Sequence, residues 1–317
     1  MKFHLIISFV FLFATTNKSL AQSGCTDVLA KNFNSNAIEN DGSCKYKKLK
    51  LKEFKSIVLR DTLRETSGLI EWENHLYTHN DDTDLHLYQL NKEGVILKSI
   101  LLTGIKNKDC EDLTQDEKYI YLGDFGNNAK GNRTDLTIYK IAKEALFESP
   151  KIETITFTYP NQTDFSKQNK NSTNFDCEAM IATDNELLLF TKQWHSKQTT
   201  VYRLPKSNGI HTAEIIATLN VKGLITGATY YPEKNLIALC GYSKKLKPFI
   251  YLISDLNNLD FQKANQRKIQ LNLPFHQVEA ISTINGDDFY LTNERFSQKI
   301  IGTIEQQFHH FSLDFFK

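Results

Sequence analysis

Three glutamates recur in similar short contexts: Asp109-Cys110-Glu111-Asp112-Leu113, Asp176-Cys177-Glu178-Ala179-Met180 and Gln277-Val278-Glu279-Ala280-Ile281. Carboxylates gathered at one place raise one another's pKa unless something balances them. A bound divalent cation would do so, and an all-oxygen set of Glu, Asp and Asn favours Ca²⁺ or Mg²⁺ over zinc. Lys192 or Arg295 could serve instead as an internal counter-ion. The third reading is structural, with each Glu accepting backbone N–H bonds from a neighbouring segment. Glu111, Glu178 and Glu279 are therefore the candidate metal ligands, and Asn80, Asp81, Lys192, Asn293 and Arg295 the candidate ligand contacts. His79 and Asp124 are the candidate groups for moving a proton. The chain carries no Gly-x-Ser-x-Gly, Cys-x-x-Cys, His-Glu-x-x-His or phosphate-cradling glycine loop.

These residues lie on a repeated unit: a polar entry, a short apolar strand, a turn, a second strand rich in Leu, Ile, Tyr or Phe, and a polar exit. Asp109 to Leu113 leads through Tyr119-Ile120-Tyr121-Leu122 to Asp124, Asn127 and Asn128. Thr66-Ser67-Gly68-Leu69-Ile70 leads to His79-Asn80-Asp81, Asp176 to Met180 leads to Thr191-Lys192-Gln193-Trp194, Thr226-Gly227-Ala228 leads to Cys240-Gly241-Tyr242, and Gln277 to Ile281 leads to Asn293-Glu294-Arg295. The units lie roughly 45 to 65 residues apart, the spacing of propeller blades with insertions. Short β-branched and aromatic segments such as Thr137-Ile138-Tyr139, Thr154-Ile155-Thr156-Phe157 and Phe249-Ile250-Tyr251-Leu252 fill in about four strands per unit. The expectation is an all-β fold, a β-propeller of five four-stranded blades. A sixth blade is the alternative, in the interval between Glu111 and Glu178, where Thr163 to Asn174 reads as a polar insertion loop. The strand around Ile57 is expected to pair with the last blade and close the ring. In such a ring the start of each innermost strand and the end of its neighbour meet at one mouth of the channel, where the polar residues would collect. Alignment of the units puts Gly68 and Gly227 in the glutamate column, and Thr66, Asp109, Asp176, Ile225 and Gln277 in the column beside it.

Residues 1–21 carry Lys2, an apolar run from Leu5 to Ala14 and Ser19-Leu20-Ala21, the pattern of a cleaved secretory signal peptide. An exported chain is expected, periplasmic or secreted. Gln22-Ser23-Gly24 lacks the aliphatic residue three before Cys25 that lipid attachment would use. In an oxidising compartment Cys25 and Cys44, enclosing a short polar island, read as a disulfide within a small module spanning 22–46, with the propeller occupying 47–317. Cys110 and Cys177 read as buried small hydrophobes. Lys and Arg total 38 against 37 Asp and Glu, and loss of Lys2 and Lys18 with the leader leaves 36 against 37. A near-neutral chain offers no electrostatic footprint for nucleic acid. No segment is long enough to span a bilayer as a helix, and the chain reads as a monomer meeting a small molecule or an extracellular partner.

The domain from about Ile57 onward resembles the bacterial propellers grouped as SdiA-regulated-like and esterase-like-phytase proteins. The matching pieces are Glu65-Thr66-Ser67-Gly68-Leu69 with His79-Asn80-Asp81, Asp109 to Leu113 with Gly123-Asp124-Phe125-Gly126-Asn127-Asn128 and Arg133, Asp176-Cys177-Glu178-Ala179 with Phe190-Thr191-Lys192, Thr226-Gly227-Ala228, and Val278-Glu279-Ala280-Ile281. The N-terminal island resembles a Cys-bounded module found at the ends of secreted bacterial proteins, with Val28 where that pattern has proline. The resemblance implies a propeller that either performs calcium-assisted phosphate-ester hydrolysis or has no assigned activity. The chain departs from a phytase in lacking an evident Lys and Arg cluster for a highly phosphorylated substrate. Three functions are thus expected: ligand or partner binding at an acidic channel mouth, Ca²⁺-dependent hydrolysis of phosphoesters or lactones with Glu111, Glu178 and Glu279 on the metal and His79 or Asp124 shuttling the proton, or a structural surface protein whose acids only tie blades together.

Overall fold

The structure is a computed structural model that describes residues 22–81 and 83–314. The expected signal peptide lies outside the described residues.

Each repeated unit folds into one antiparallel sheet. The first blade comprises Thr66–Trp72, His75–Asn80, His86–Leu90 and Ile96–Leu101, and the second Cys110–Gln115, Tyr119–Asp124, Leu136–Ala142 and Ile152–Thr158. The third comprises Cys177–Ala182, Glu186–Thr191, Thr199–Pro205 and Glu214–Leu219, and the fourth Leu224–Tyr231, Leu236–Tyr242, Pro248–Ser254 and Asn265–Leu271. The fifth is Val278–Thr283, Asp288–Asn293 and Gln307–Ser312, completed by Lys55–Val58 from the other end of the chain, with Ser56 opposite His309. This is the ring closure expected around Ile57. The innermost strands follow one another around the channel, the fifth returning to the first. The fold is a five-bladed propeller, and the segment from residue 160 to 175 is a loop rather than a sixth blade.

The core confirms the same arrangement independently. Buried apolar residues form five clusters, one in each cleft between adjacent blades. Met180, Leu187 and Tyr202 of the third blade, for example, pack on Tyr121, Leu136 and Phe157 of the second. Strands buried on both faces read as continuous apolar runs, and Cys177–Ala182 is buried at every position. The first hairpin turns through Glu73 and Asn74 at φ 49° and 65°, the double left-handed geometry that a two-residue connection between twisted strands requires.

Two blades carry an additional edge strand that the sequence reading did not anticipate. Gly209–Thr212 runs parallel to Ile152–Thr158, and Leu49–Leu51 runs parallel to Asn265–Leu271. Leu49–Leu51 follows the Cys25–Cys44 disulfide, which is formed with its Cα atoms 4.8 Å apart. The stapled island rests on the fourth blade, where Asn40 Nδ2 donates to Asn265 Oδ1 at 2.7 Å and Lys263 pairs with Glu39. Cys110, Cys177 and Cys240 are free and buried.

Candidate functional site at the near mouth

Four innermost strands carry one unpaired bulge residue at the same height. The ladder passes over Glu111, Glu178, Thr226 and Glu279 in the second to fifth blades, and over Gly68 and Leu69 in the first. A bulge re-aims the side chain it carries. The fourth-blade member of the column is thus Thr226, one residue before the Gly227 that alignment supplied. Gly68 needs its glycine: at φ +58°, a Cβ would lie 2.6 Å from Leu113 N and 2.7 Å from His79 Nε2.

Entry and exit of a blade are joined by one backbone bond. Asp81 N–H donates to Glu65 O at 3.0 Å, Gly126 N–H to Asp109 O at 3.0 Å, Lys192 N–H to Asp176 O at 2.6 Å and Glu294 N–H to Gln277 O at 3.2 Å. These pairs ring the mouth at which the innermost strands begin. In the first blade the entry position is Glu65 rather than Thr66, because two paired residues, Thr66 with Asn80 and Ser67 with His79, separate it from the bulge.

The mouth is a cavity of about 280 Å³ lined by Glu65, Asp81, Glu111, Glu178, Glu279 and Glu294, with Lys192, Lys170, Asn128, Asn171, Gln277, Trp194 and Tyr242. The structure therefore brings together Glu111, Glu178, Glu279, Asp81 and Lys192 of the expected set. It does not bring the others to the cavity. His79 is buried, its Nδ1 bonded to Asn80 O at 2.9 Å, and burial holds its pKa down to about 4. Asp124 is committed to Arg133 at 2.9 Å and accepts the Asp109 N–H. Asn80 donates to Thr62 O and Asp84, Asn293 donates to the Glu294 and Glu305 carbonyls, and Arg295 pairs with Glu305 and Asp61.

Two layers of charge result. In the deep layer Lys192 Nζ donates to Glu178 Oε2 at 2.8 Å, with both side chains almost fully buried. The ammonium lies 5.0 Å from the Trp194 ring centroid and 5.4 Å from that of Tyr242. Burial opposes its charge, but Glu178, Tyr242, Glu279 and Glu111 outweigh burial and hold Lys192 protonated. Burial pushes Glu178 up to about 7, against the pull of Lys192. Burial likewise pushes Glu279 up to about 7, although Lys192 and the Tyr242 hydroxyl, donating at 3.3 Å, favour its charged form. Glu111 is raised well above the usual carboxylate range by burial and by Glu178, Asp109 and Asp81. Among the described residues Glu178 Oε1 receives no N–H donor, and its carboxyl faces that of Asp176, which is itself raised by burial and by Glu178.

The outer layer is Glu65, Asp81 and Glu294, each offering an oxygen such that all three atoms lie within 4.8 Å of one another. Gln277 Nε2 holds Glu294, and burial together with Glu279 and Asp81 raises the Glu294 carboxyl well above its usual range.

Tying blades together falls to the aspartates beside the glutamates. Asp112 accepts the Leu113 N–H at 2.8 Å and, across the blade boundary, the Met180 N–H at 2.7 Å. Asp176 accepts the Asn127 N–H from the second blade and the Trp194 indole N–H at 2.7 Å. Lys170 and Asn171 reach the cavity from the loop before the third blade, which is pinned by Asn171 N–H to Asn128 O and Gln168 N–H to Lys130 O, both at 2.9 Å. Nothing in the periodicity of the strands marks that loop as part of the site.

No family model matches the chain, and no curated protein matches it. Solved structures share its general shape at low identity. They include a streptogramin B lyase, 9% identical with a TM-score of 0.41 over 83% of this chain and 87% of that one. A chain of the mitotic checkpoint complex is 8% identical with a TM-score of 0.42 over 82% and 94%. Hydrazine synthase from Kuenenia stuttgartiensis is 12% identical with a TM-score of 0.39, the match covering 71% of this chain and 61% of that one. None of these likenesses carries an argument about activity, and the propeller assignment rests on the strand ladders and the five inter-blade cores.

Proposed function

We propose that the protein is an exported ligand-binding propeller whose near mouth takes a hard divalent cation, calcium by its donor set, and through it an oxygen-rich small molecule or partner. The observation that carries this reading is the outer triad. Three carboxylate oxygens within 4.8 Å of one another suit a cation that holds oxygens at about 2.3–2.6 Å. Lys192 already serves Glu178, so the outer layer is where an added cation would relieve repulsion. The short motifs similar to SdiA-regulated-like and esterase-like-phytase propellers support a site at this mouth, and the disulfide supports an oxidising compartment.

A second reading, Ca²⁺-dependent hydrolysis of a phosphoester or lactone, draws support from Glu279. Its carboxyl lines the cavity and is held near neutrality, the range suited to a general base. In that reading Glu279 takes the proton from water, a role His79 and Asp124 do not reach.

Elemental analysis of the purified chain, with melting measured with and without chelator, tests the binding reading. About one equivalent of calcium, lost with several degrees of melting temperature on chelation and absent from Asp81→Asn, is the expected result. A metal-free protein indifferent to calcium would overturn it. Turnover of p-nitrophenyl phosphate or a simple lactone, abolished in Glu279→Gln, would establish the hydrolytic reading.

A further inference from the structure

The closing strand of the ring carries a second arrangement of groups, on the outer side of the fifth blade. Lys55–Val58 pairs with Gln307–Ser312 and forms the edge of its sheet among the described residues. Leu59 N–H donates to Gln306 O at 3.0 Å, and this bond sets the alternation of the ladder. Ile57 with Phe308, and Lys55 with His310, are the pairs that exchange backbone bonds, and Ser56 stands opposite His309 in the closer pair that exchanges none. The Ser56 and His309 side chains are thereby brought together on one face, while the Ser56 N–H points out of the open edge.

Asn293 fixes the state of the imidazole. Its Nδ2 donates to the carbonyls of Glu294 and Glu305, both at 2.9 Å, so Oδ1 is the atom turned to His309. That oxygen lies 2.8 Å from His309 Nε2 and can only accept, which puts the ring proton on Nε2 and the lone pair on Nδ1. Ser56 Oγ lies 2.7 Å from Nδ1 and is therefore the donor. His309 and Asn293 are fully buried, whereas Ser56 is exposed. A hydroxyl at the surface, bonded to an imidazole whose other nitrogen is held by a third side chain, is the arrangement that activates a nucleophile. None of the three residues lines the near-mouth cavity.

We propose that Ser56 is a nucleophile for acyl transfer from activated esters, with His309 as its base and Asn293 positioning that base. Ser56 Oγ attacks the carbonyl carbon as its proton passes to His309 Nδ1. The bond from that carbon to the leaving oxygen breaks, and the alcohol departs as its anion. The imidazolium then gives its proton to solvent, and Ser56 keeps the acyl group. The Ser56 N–H at the open edge is the backbone donor beside Oγ for the carbonyl oxygen as it gains charge. Val58, on the same face and 57% exposed, and Phe54, whose ring centroid is 6.1 Å from that of His309, offer apolar surface to the acyl or aryl group. Burial, with His276 beside it, holds the His309 pKa down to about 3. The ring is thus neutral and open to Ser56 at working pH, but a base this weak confines the site to leaving groups that depart unprotonated.

Incubation of the folded mature chain with p-nitrophenyl acetate, followed by peptide mass mapping, tests this. One acetyl group per chain is expected, on Ser56, with a matching burst of p-nitrophenolate that chelator leaves unchanged. Ser297, exposed and bonded to Thr303 instead of a histidine, should stay unmodified. Ser56→Ala should remove the label, and His309→Phe should slow it at least about ten-fold in protein whose melting shows it folded. Asn293→Leu should slow it similarly, and Asn293→Asp, which restores an acceptor for the Nε2 proton, should recover the rate. Acetyl groups on lysines with Ser56 bare, a Ser56 rate equal to that of Ser297, an unchanged rate in folded His309→Phe, or no recovery in folded Asn293→Asp would each overturn the proposal.

Discussion

Lys192 is the residue on which the charge balance of the near mouth turns. It is buried against Glu178 and favoured by Glu279 and Glu111, so its removal leaves three deep carboxyls with no internal cation. Lys192→Met should therefore cost about 3 kcal/mol of stability in urea unfolding, the cost of breaking a buried pair rather than a surface one. A loss under about 1 kcal/mol, the scale of an exposed pair, would show that the ammonium is not held as described. Gly126 is equally constrained, because a Cβ there would lie 2.3 Å from Glu111 Oε1 and 2.5 Å from the Asp109 carboxyl. Gly126→Ala should displace both carboxylates and weaken calcium about ten-fold in a competition assay while the melting temperature moves little. The three glutamates and Lys192 were legible from residue types and spacing alone. Glu65 was not, since in the first blade two paired residues, Thr66 and Ser67, separate the entry from the bulge, and that offset leaves no trace in hydrophobic alternation.

At the scale of elements, the innermost strands do two tasks with adjacent residues. The bulged glutamate faces the mouth, and Asp112, on the next residue of its strand, stitches the second blade to the third through Met180 N–H. Asp112→Leu should expose that cost: buried N–H groups lose their acceptor, and stability should fall by about 2–3 kcal/mol with calcium affinity, measured on the folded fraction, little changed. An unchanged unfolding midpoint would assign the stitching elsewhere. Strand identity and ring closure were readable because each strand is a short β-branched or aromatic run bounded by turn residues. The fifth edge strands were not, because Gly209–Thr212 is short, exposed and paired through neighbours distant in sequence. The expected roles of His79 and Asp124 failed to reach the cavity for a related reason. Alternation says that a side chain leaves the ladder, but not whether it turns toward the channel or into a cleft between blades.

For the whole molecule, the raised carboxyls link stability to pH. Glu178 and Glu279 titrate near 7 when folded and near 4.5 when free, so the folded state binds the extra protons between those values. Their contribution is fully present below about pH 4.5 and is lost as pH rises through 7. The cation-free protein should thus lose on the order of 2 kcal/mol for each of the two carboxyls between pH 5 and pH 8, seen as a melting temperature falling by several degrees. Calcium should restore it most at the higher pH, where the carboxylates are ionised. Protons and cation compete for one layered set of oxygens, and that competition gives the most direct test. Calcium titrated into the chelator-treated mature chain at pH 7, in two buffers of different ionisation enthalpy, measures affinity and proton release together. One equivalent of calcium bound with about one proton released, both lost in Asp81→Asn with Glu294→Gln, is the predicted result. Calcium that binds without releasing protons, or no saturable binding at all, would contradict a cation site among the near-mouth carboxylates.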